Sequence, residues 1–366
     1  MNAVILVGGG GTRLRPLTYA LPKPLIPVLN RPLISHLITN LKRGGVDRVV
    51  LATAASDRRI EAALGDGSDL GLAISYSVEE KPLGSGLAVK QAARGFDESF
   101  LVCNGDVITD VDVDAMAALH RERGAILSIS LAPVADPSSY GIAELGAGDR
   151  ITRFVEKPPA GKATSRWANA GTWLFDPALL DHIPDERMDG SLERLVFPAL
   201  IAAGHVVQGF RSEGYWMDVG TSERYLQLHH DLLRGEIPAW LPAAIAAGEP
   251  SFGEGCEVGP EAAIGARVIL GANCHVGRLA HIEGPSVLGD CCILGERAVV
   301  AGSVCWADVK VGAGAAVRES VLGRGCLIGD DAVVEGAVLA DGARVERNVR
   351  LAPGARLEPG EVAGKQ

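Results

Sequence analysis

The feature that most constrains the fold is a six-residue hydrophobic period in the last third of the chain. Aliphatic residues recur in one phase without a miss, at Val258, Ile264, Leu270, Val276, Ile282, Leu288, Leu294 and Val300. If about a quarter of positions were Ile, Leu or Val, chance would produce this run with a probability on the order of 10⁻⁴. The phase slips over residues 303–310, and it resumes at Val311, Val317, Leu322, Ile328 and Val334 and again at Val345, Leu351 and Leu357. The period predicts a parallel β-helix over residues 251–362, with these side chains in its core.

The first 235 residues follow a different pattern, in which short apolar runs alternate with amphipathic segments. The runs at 4–7, 49–53, 73–78, 100–103 and 126–131 predict buried strands. One helical face is apolar at Leu33, Ile34, Leu37, Ile38 and Leu41. This alternation predicts an α/β domain with a Rossmann-like, mostly parallel sheet, whose ligands bind beyond the carboxyl ends of the strands. A helix predicted over 222–234 ends this domain at residue 235, and a Pro- and Ala-rich linker over 236–250 precedes the β-helix.

Charge and cysteine usage exclude several classes of protein. The formal net charge of -10 argues against a nucleic-acid binder. Residues 1–46, however, carry six Lys or Arg and no Asp or Glu, which predicts a local anion site near the N-terminus. Seven cysteines without a CxxC pair indicate reduced thiols rather than a zinc site. With no apolar run near the ~18 residues of a membrane span and no secretion signal, we expect a cytoplasmic protein with no membrane partner.

A glycine run follows the first predicted strand, in the sequence LVGGGGTRLRPLTYALPKPLIPV over residues 6–28. Glycines at such a turn let backbone N–H groups approach a phosphate without a Cβ in the way. A dinucleotide fingerprint would need glycine where Arg13 stands, and a P-loop would need a lysine directly after the run. The spacing instead brings two cations, Arg13 and Lys23, to one glycine loop. A guanidinium and an ammonium there favour a polyphosphate ligand.

An ordered series of motifs extends this pattern along the chain: GGGGTRLRPLT, PKPL, EEKPLGSG, NGDVI, SYG, RFVEKP, NAG, SLERLVFP and YWMDVGT. With them the sequence resembles the sugar nucleotidyltransferase (nucleotide-sugar pyrophosphorylase) family, and most of all its guanylyltransferase branch with a C-terminal β-helix. The resemblance implies that the β-helix is left-handed. It also implies transfer of a nucleotidyl group, with Mg²⁺ as cofactor, from GTP to mannose 1-phosphate, and a homo-oligomer.

The resemblance assigns roles to individual residues. The nucleotide-binding set comprises Leu6, Gly8, Gly9, Gly11, Thr12, Glu79, Gly84 and Asp106. The candidate catalytic cations are Arg13, Lys23 and Lys157, and the candidate metal ligands are Asp106 and Asp218. Two carboxylates with a triphosphate are a ligand set that suits Mg²⁺. The sugar-phosphate set comprises Gly141, Glu156, Lys157, Asn169 and Gly171.

The sequence leaves the base and the sugar open. A carboxylate at Glu79 can accept hydrogen bonds from both N1–H and N2–H₂ of guanine, whereas thymine or uracil suits an amide better. Many similar guanylyltransferases read PLGTAGA where this chain reads PLGSGLA over 82–88, so thymidylyl or uridylyl transfer to glucose 1-phosphate remains an alternative. A second alternative is a non-catalytic subunit that senses nucleotide sugars. A third is acyl transfer by the β-helix, which contains His275 and His281.

Overall fold

The computed structural model describes residues 1–8, 11–54, 58–81, 83–185 and 190–364. They divide into two units, one formed by Met1–Gly9 and Ile34–Trp216 and the other by Gly10–Leu33 and Met217–Gln366. Gly11 and Lys23 therefore belong to the unit that contains the β-helix. No helix in the described part of the chain is long and apolar enough to cross a membrane.

The first unit is built on a nine-stranded sheet. Its strands are β1 (Asn2–Leu6), β2 (Arg48–Ala54), β3 (Ala73–Glu79), β4 (Phe100–Asn104), β5 (Leu127–Pro133), β6 (Gly141–Leu145), β7 (Ile151–Glu156), β8 (Trp167–Phe175) and β9 (Val207–Arg211). Along the main path their order is β7-β6-β8-β4-β1-β2-β3, and β5 pairs with β8 and β9. The adjacent strands β4, β1, β2 and β3 are parallel, which confirms the predicted α/β sheet. On the other side β8 runs antiparallel to β4, β5 and β6, an arrangement that the apolar runs did not predict.

The described residues form seven α-helices: α1 (Leu33–Arg43), α2 (Arg59–Leu64), α3 (Ser85–Ala92), α4 (Val113–Arg123), α5 (Phe197–Ala202), α6 (Ser222–Arg234) and α7 (Ala243–Ala246). The predicted apolar face of α1 is buried throughout. Shorter elements include helical turns at Thr12–Leu14, Lys23–Leu25 and Pro238–Trp240, a π-helix at Leu192–Val196, and short strands at Pro27–Val28, Arg31–Pro32, Val107–Thr109 and Trp216–Asp218. The segment predicted as a linker thus contains a helical turn and α7, with Trp240 and Ile245 buried.

The last hundred residues form a three-faced parallel β-helix. The first face consists of Ser251–Phe252, Val268–Leu270, Ser286–Leu288, Val304–Cys305, Val321–Leu322, Val338–Leu339 and Arg356–Leu357. The second face consists of Glu257–Val258, His275–Val276, Ile293–Leu294, Lys310–Val311, Leu327–Ile328, Arg344–Val345 and Val362–Ala363. The third consists of Ala263–Ile264, His281–Glu283, Val299–Ala301, Ala316–Arg318 and Val333–Glu335. The parallel coils confirm the prediction made from the hexapeptide period.

Register explains where the period slips. Leu270 pairs with Leu288 eighteen residues later, but Leu288 pairs with Cys305 after only seventeen. Cys305 is buried at the inward position that an aliphatic residue would otherwise fill. One corner has therefore lost a residue, while the stacking of the coils continues unbroken.

One of the side chains predicted for the core is exposed. Val258 is 47% exposed, whereas its successors Val276 and Leu294 are buried. The strand of Val258 is the first of the second face and pairs with a coil on one side only, at Val276. A terminal coil has no neighbour to cover its outer side, so the period marks this position without burying it.

The outer side of the first face is apolar as well, and the rest of its unit covers it. Ile269, Val287, Val304 and Val321 point outward yet are buried. Helix α6 supplies polar partners above them: the Trp306 indole N–H donates to the Tyr225 hydroxyl oxygen at 3.0 Å. Two layers, a helix and a β-helix face, therefore share one core.

Candidate active site

The carboxyl ends of β1 and β4 lie side by side, as the parallel pairing requires. Leu6 ends β1 and Gly8 follows it, while Asp106 lies in the turn after β4. The Gly105 N–H donates to the Leu6 carbonyl oxygen at 2.9 Å, and a Cβ at Gly105 would lie 2.8 Å from the Val7 side chain. This turn therefore brings the half-buried Asp106 next to the strand that leads into the glycine run. Gly9 lies outside the described residues.

The segment predicted to read the base follows β3. One carboxylate oxygen of Glu79 accepts a hydrogen bond from the Leu83 N–H at 2.9 Å, which leaves the other oxygen for a ligand. Gly84 has a φ of 82°, and a Cβ there would lie 3.0 Å from the Gly190 Cα. Both the conformation and the close approach require glycine.

Sequence reasoning missed what holds this segment. The Ser85 hydroxyl accepts from the Leu192 N–H at 2.9 Å and donates to a Glu193 carboxylate oxygen at 3.3 Å. The Gly86 N–H donates to the Gly190 carbonyl oxygen at 2.7 Å. These partners lie about a hundred residues further along the chain, so no local pattern could have linked them to Ser85.

The predicted sugar site is built on the hairpin of β6 and β7. Gly141 and Glu156 are cross-strand partners, and a Cβ on Gly141 would lie 2.7 Å from a Glu156 carboxylate oxygen. Burial raises the pKa of Glu156, the carboxylate of Glu193 raises it further, and the Lys157 ammonium opposes both. Lys157 lies 3.7 Å from Glu156, is 59% exposed and has a φ of 48°, which is uncommon for a residue with a side chain. An exposed ammonium beside a half-buried carboxylate can bind phosphate and hydroxyl groups at neighbouring points.

A bulge in β8 orients Asn169. Its amide oxygen accepts from the Gly171 N–H at 3.0 Å and from the Trp173 indole N–H at 2.7 Å. The NH₂ group is therefore the end that remains for a ligand. Gly171 has a φ of 73°, and a Cβ there would lie 3.0 Å from the Asn104 amide nitrogen. The structure brings both predicted residues to one short stretch of strand.

Within the second unit, the loop after the glycine run surrounds one carboxylate. Gly11 is left-handed and precedes the helical turn that carries Thr12 and Arg13. Lys23 is only 7% exposed, and its ammonium lies 3.4 Å from the Asp218 carboxylate. The Arg13 guanidinium lies 3.7 Å from the same carboxylate, although the Arg13 side chain is 66% exposed.

A third cation completes this cluster. Arg224, in the first turn of α6, lies 3.9 Å from the Asp218 carboxylate and donates to the Asp218 carbonyl oxygen at 3.4 Å. Three positive side chains therefore surround one carboxylate. Such a cluster attracts a polyanion, and Arg13 is free enough in solvent to turn towards one. The motif reading identified Arg13 and Lys23 but gave no signal for Arg224.

The predicted metal ligands, Asp106 and Asp218, can be compared with what Mg²⁺ requires. Within the part of the chain that the structure describes, no group of three or more His, Cys, Asp or Glu side chains is placed to hold a metal. Mg²⁺ bound with nucleotides typically takes only one or two carboxylates, and phosphate oxygens and water complete its shell. Asp106 and Asp218 are carboxylates of this kind, so the chemistry of the predicted ligands suits the ion.

Comparison with known proteins agrees with this geometry. Residues 2–235 match the nucleotidyl transferase family, and residues 252–351 match the LbH domain of EIF2B subunit epsilon. The chain belongs to the nucleotidyl transferase family, and its C-terminal β-helix is left-handed, as the resemblance implied.

Named relatives of the chain narrow the kind of nucleotidyl transferase that it resembles. The chain is 36% identical over 291 residues to a protein of Mycobacterium tuberculosis named mannose-1-phosphate guanylyltransferase, covering 74% of this chain and 79% of that protein. It is 38% identical over 280 residues to mannose-1-phosphate guanylyltransferase 1 of Arabidopsis thaliana, covering 72% and 76%. A crystal structure of HddC from Yersinia pseudotuberculosis complexed with GMP-PN matches 62% of this chain and 97% of that chain, with a TM-score of 0.53 and 26% identity.

Proposed function

We propose that this chain is a mannose-1-phosphate guanylyltransferase, which forms GDP-mannose and pyrophosphate from GTP and mannose 1-phosphate. The observation that carries the proposal is the cluster of Arg13, Lys23 and Arg224 around Asp218, directly after a glycine turn. Relatives at 36% and 38% identity bear that activity in their names. Guanine nucleotide binding is further supported by the HddC complex with GMP-PN.

The reaction is an in-line displacement at phosphorus. A phosphate oxygen of mannose 1-phosphate attacks the α-phosphorus of GTP, a new P–O bond forms, and the bond to the β-phosphate oxygen breaks. The electron pair leaves with pyrophosphate. The attacking oxygen is already an anion, so the step needs no general base. Catalysis is then positioning plus neutralisation of charge, and positioning alone can supply about 7–11 kcal/mol.

Each cation has a separate task in this proposal. Backbone N–H groups near Gly11 and Thr12 face the triphosphate, and Arg13 binds its oxygens as a bidentate fork. The buried Lys23 keeps a fixed positive charge beside Asp218. Asp106 and Asp218 are the carboxylates that would bind Mg²⁺, and the ion would further neutralise the phosphate oxygens.

The sugar phosphate is assigned to the β6–β7 hairpin and to β8. Lys157 binds the phosphate of mannose 1-phosphate, and Glu156 accepts hydrogen bonds from sugar hydroxyls. The NH₂ group of Asn169 is available as a donor because its oxygen is already bound. Both Gly141 and Gly171 let backbone and ligand-binding side chains approach closely.

We propose that Glu79 reads the base with one carboxylate oxygen, rather than with both as the sequence suggested. One of its oxygens already accepts from the Leu83 N–H, so the other is the primary acceptor for a base N–H. Replacing Glu79 by Gln tests this role: we expect the preference for GTP over dTTP to fall by about tenfold, because a carboxylate accepts more strongly than an amide. An unchanged preference would remove Glu79 from base recognition.

The competing readings have less support. A non-catalytic sensor need not keep Lys23, Asp106, Lys157 and Asp218, and this chain has all four. In the β-helix, His275 and His281 are exposed, with Glu257 at 3.1 Å and Glu283 at 3.2 Å respectively. Exposed ion pairs of this kind are ordinary surface features. A cytoplasmic location and a homo-oligomer stay part of the proposal, and molar mass in solution tests the latter.

The sharpest single-residue test is Lys157→Ala. We expect GDP-mannose formation to fall at least about 100-fold, because the positive charge that binds the attacking phosphate of mannose 1-phosphate is lost. The fold should survive, since Lys157 is largely exposed. Lys162→Ala is the matched control, an exposed lysine five residues away that should retain wild-type activity. Near-normal turnover by Lys157→Ala would contradict the assignment.

A further inference from the structure

One residue breaks the apolar row on the outer side of the first β-helix face. From Ile269 to Val338 every outward position on this face is aliphatic and buried, but the last strand presents Arg356 instead. The Arg356 side chain is 41% exposed, so burial alone does not require the polar partners that it has.

Arg356 has three of them, on two different segments. Its Nη1 donates to the Arg15 carbonyl oxygen at 2.9 Å. Its Nη2 donates to the Ser222 hydroxyl at 2.9 Å and to a Glu223 carboxylate oxygen at 2.7 Å. The first partner lies in the loop after the glycine run, and the other two lie in the first turn of α6.

These two segments are the ones that carry the triphosphate cluster. The Arg15 carbonyl directly follows the helical turn of Arg13, and Ser222 is four residues after Asp218. The Arg13–Asp218 pair itself is long, at 3.7 Å, and Arg13 is mostly exposed, so this pair holds the segments together only weakly. One planar guanidinium from the β-helix therefore joins the backbone of the first segment to two side chains of the second, which a fork of fixed geometry does well.

We propose that Arg356 is a positioning residue for the nucleoside triphosphate: it acts from the β-helix, through Arg15 and the start of α6, on the geometry of Arg13 and Asp218. The β-helix then contributes to nucleotide binding indirectly, through these two segments. This inference rests on the proposed function for its kinetic readout, but the contacts themselves do not depend on it.

The test compares Arg356→Ala with Arg356→Lys and with a matched control, Arg344→Ala. Arg344 is an exposed arginine one strand earlier in the chain, on the second face. We expect Arg356→Ala to raise the KM for GTP about tenfold and to lower kcat about 10- to 100-fold, because small misplacement of binding groups is costly. The KM for mannose 1-phosphate should change less than about twofold, since its assigned residues lie on other elements. Added guanidinium ion should restore part of the activity of Arg356→Ala, and Arg356→Lys should lie in between.

Equal kinetics for Arg356→Ala and Arg344→Ala would overturn the proposal, as would equal rises in KM for both substrates, which would indicate a general structural defect. If the wild type does not turn over GTP and mannose 1-phosphate, the proposed function fails first. Amide hydrogen exchange of peptides over 11–23 and 217–224 then tests Arg356 alone. Faster exchange in Arg356→Ala than in Arg344→Ala supports the positioning role, and equal exchange overturns it.

Discussion

Replacing Gly141 by alanine gives a steric test of the sugar site. A Cβ at this position would lie 2.5 Å from the ring of Phe154 and 2.7 Å from a Glu156 carboxylate oxygen. Phe154 is buried and packs edge-on against Phe197 with ring centroids 5.6 Å apart, so the ring cannot move away freely. The half-buried carboxylate of Glu156 is the group that must give way.

Gly141→Ala should have two effects, one on stability and one on catalysis. Overpacking against Phe154 should lower the free energy of unfolding by about 1–3 kcal/mol. Displacing Glu156 should remove a hydrogen bond that a sugar hydroxyl donates to its charged carboxylate. Such a bond is worth about 1.5–3 kcal/mol. At about 1.4 kcal/mol per factor of ten, kcat/KM for mannose 1-phosphate should fall about 10- to 150-fold. The KM for GTP should stay within about twofold of wild type.

The assay is steady-state pyrophosphate release with each substrate varied in turn, beside thermal unfolding of the same preparations. Gly146→Ala is the control, because it lies in the same hairpin, and its Cβ would meet the methyl group of the exposed Thr152 at 2.8 Å and the Arg150 carbonyl oxygen at 3.6 Å. That control should keep wild-type kinetics. A folded Gly141→Ala enzyme with wild-type kcat/KM for mannose 1-phosphate would refute the placement of Glu156 at the sugar.

Three further predictions follow from burial and charge. The pKa of Glu156 is raised in the folded state, so the wild type should lose stability relative to Glu156→Gln as pH rises above about 4.5. Thermal unfolding of both proteins from pH 4 to 7 measures this, and a difference in stability that does not change with pH would contradict it. Among the thiols, the exposed Cys291 should react with a disulfide reagent rapidly, while the buried Cys305, whose pKa burial raises, should react only after unfolding; Cys291→Ser should abolish the fast phase. Val276→Asp should destabilise the β-helix by at least about 3 kcal/mol and the exposed Val258→Asp by less than about 1 kcal/mol, as measured by urea unfolding; similar losses would contradict the register.

The sequence predicted what depends on local periodicity. The hexapeptide period identified the β-helix, and α1 and the parallel strands lie within a few residues of their predicted bounds. Val258 was predicted to be buried and is exposed, because a period cannot tell a terminal coil from a central one. Cys305 was missed because the period counted only aliphatic residues, although a thiol fills the same core position.

Sequence patterns failed to identify several residues near the candidate site for a different reason. Arg224, Glu193 and Arg356 act across long stretches of chain, and nothing in their immediate neighbourhood marks them as more than surface charges. The antiparallel side of the sheet was missed for a similar reason, since pairing partners cannot be read from apolar runs alone. Roles for the predicted site residues, including the Mg²⁺ ligands, remain predictions on which the variants above bear.

The most direct measurement of the central claim is pyrophosphate release with Mg²⁺ across GTP, dTTP, UTP, CTP and ATP. Each nucleotide would be paired with mannose 1-phosphate or glucose 1-phosphate, and the nucleotide sugar identified by mass. The account predicts a strong preference for GTP with mannose 1-phosphate, and GDP-mannose as product. A preference for dTTP with glucose 1-phosphate would keep the mechanism but contradict the substrates, and no release with any pair would contradict the enzymatic function itself.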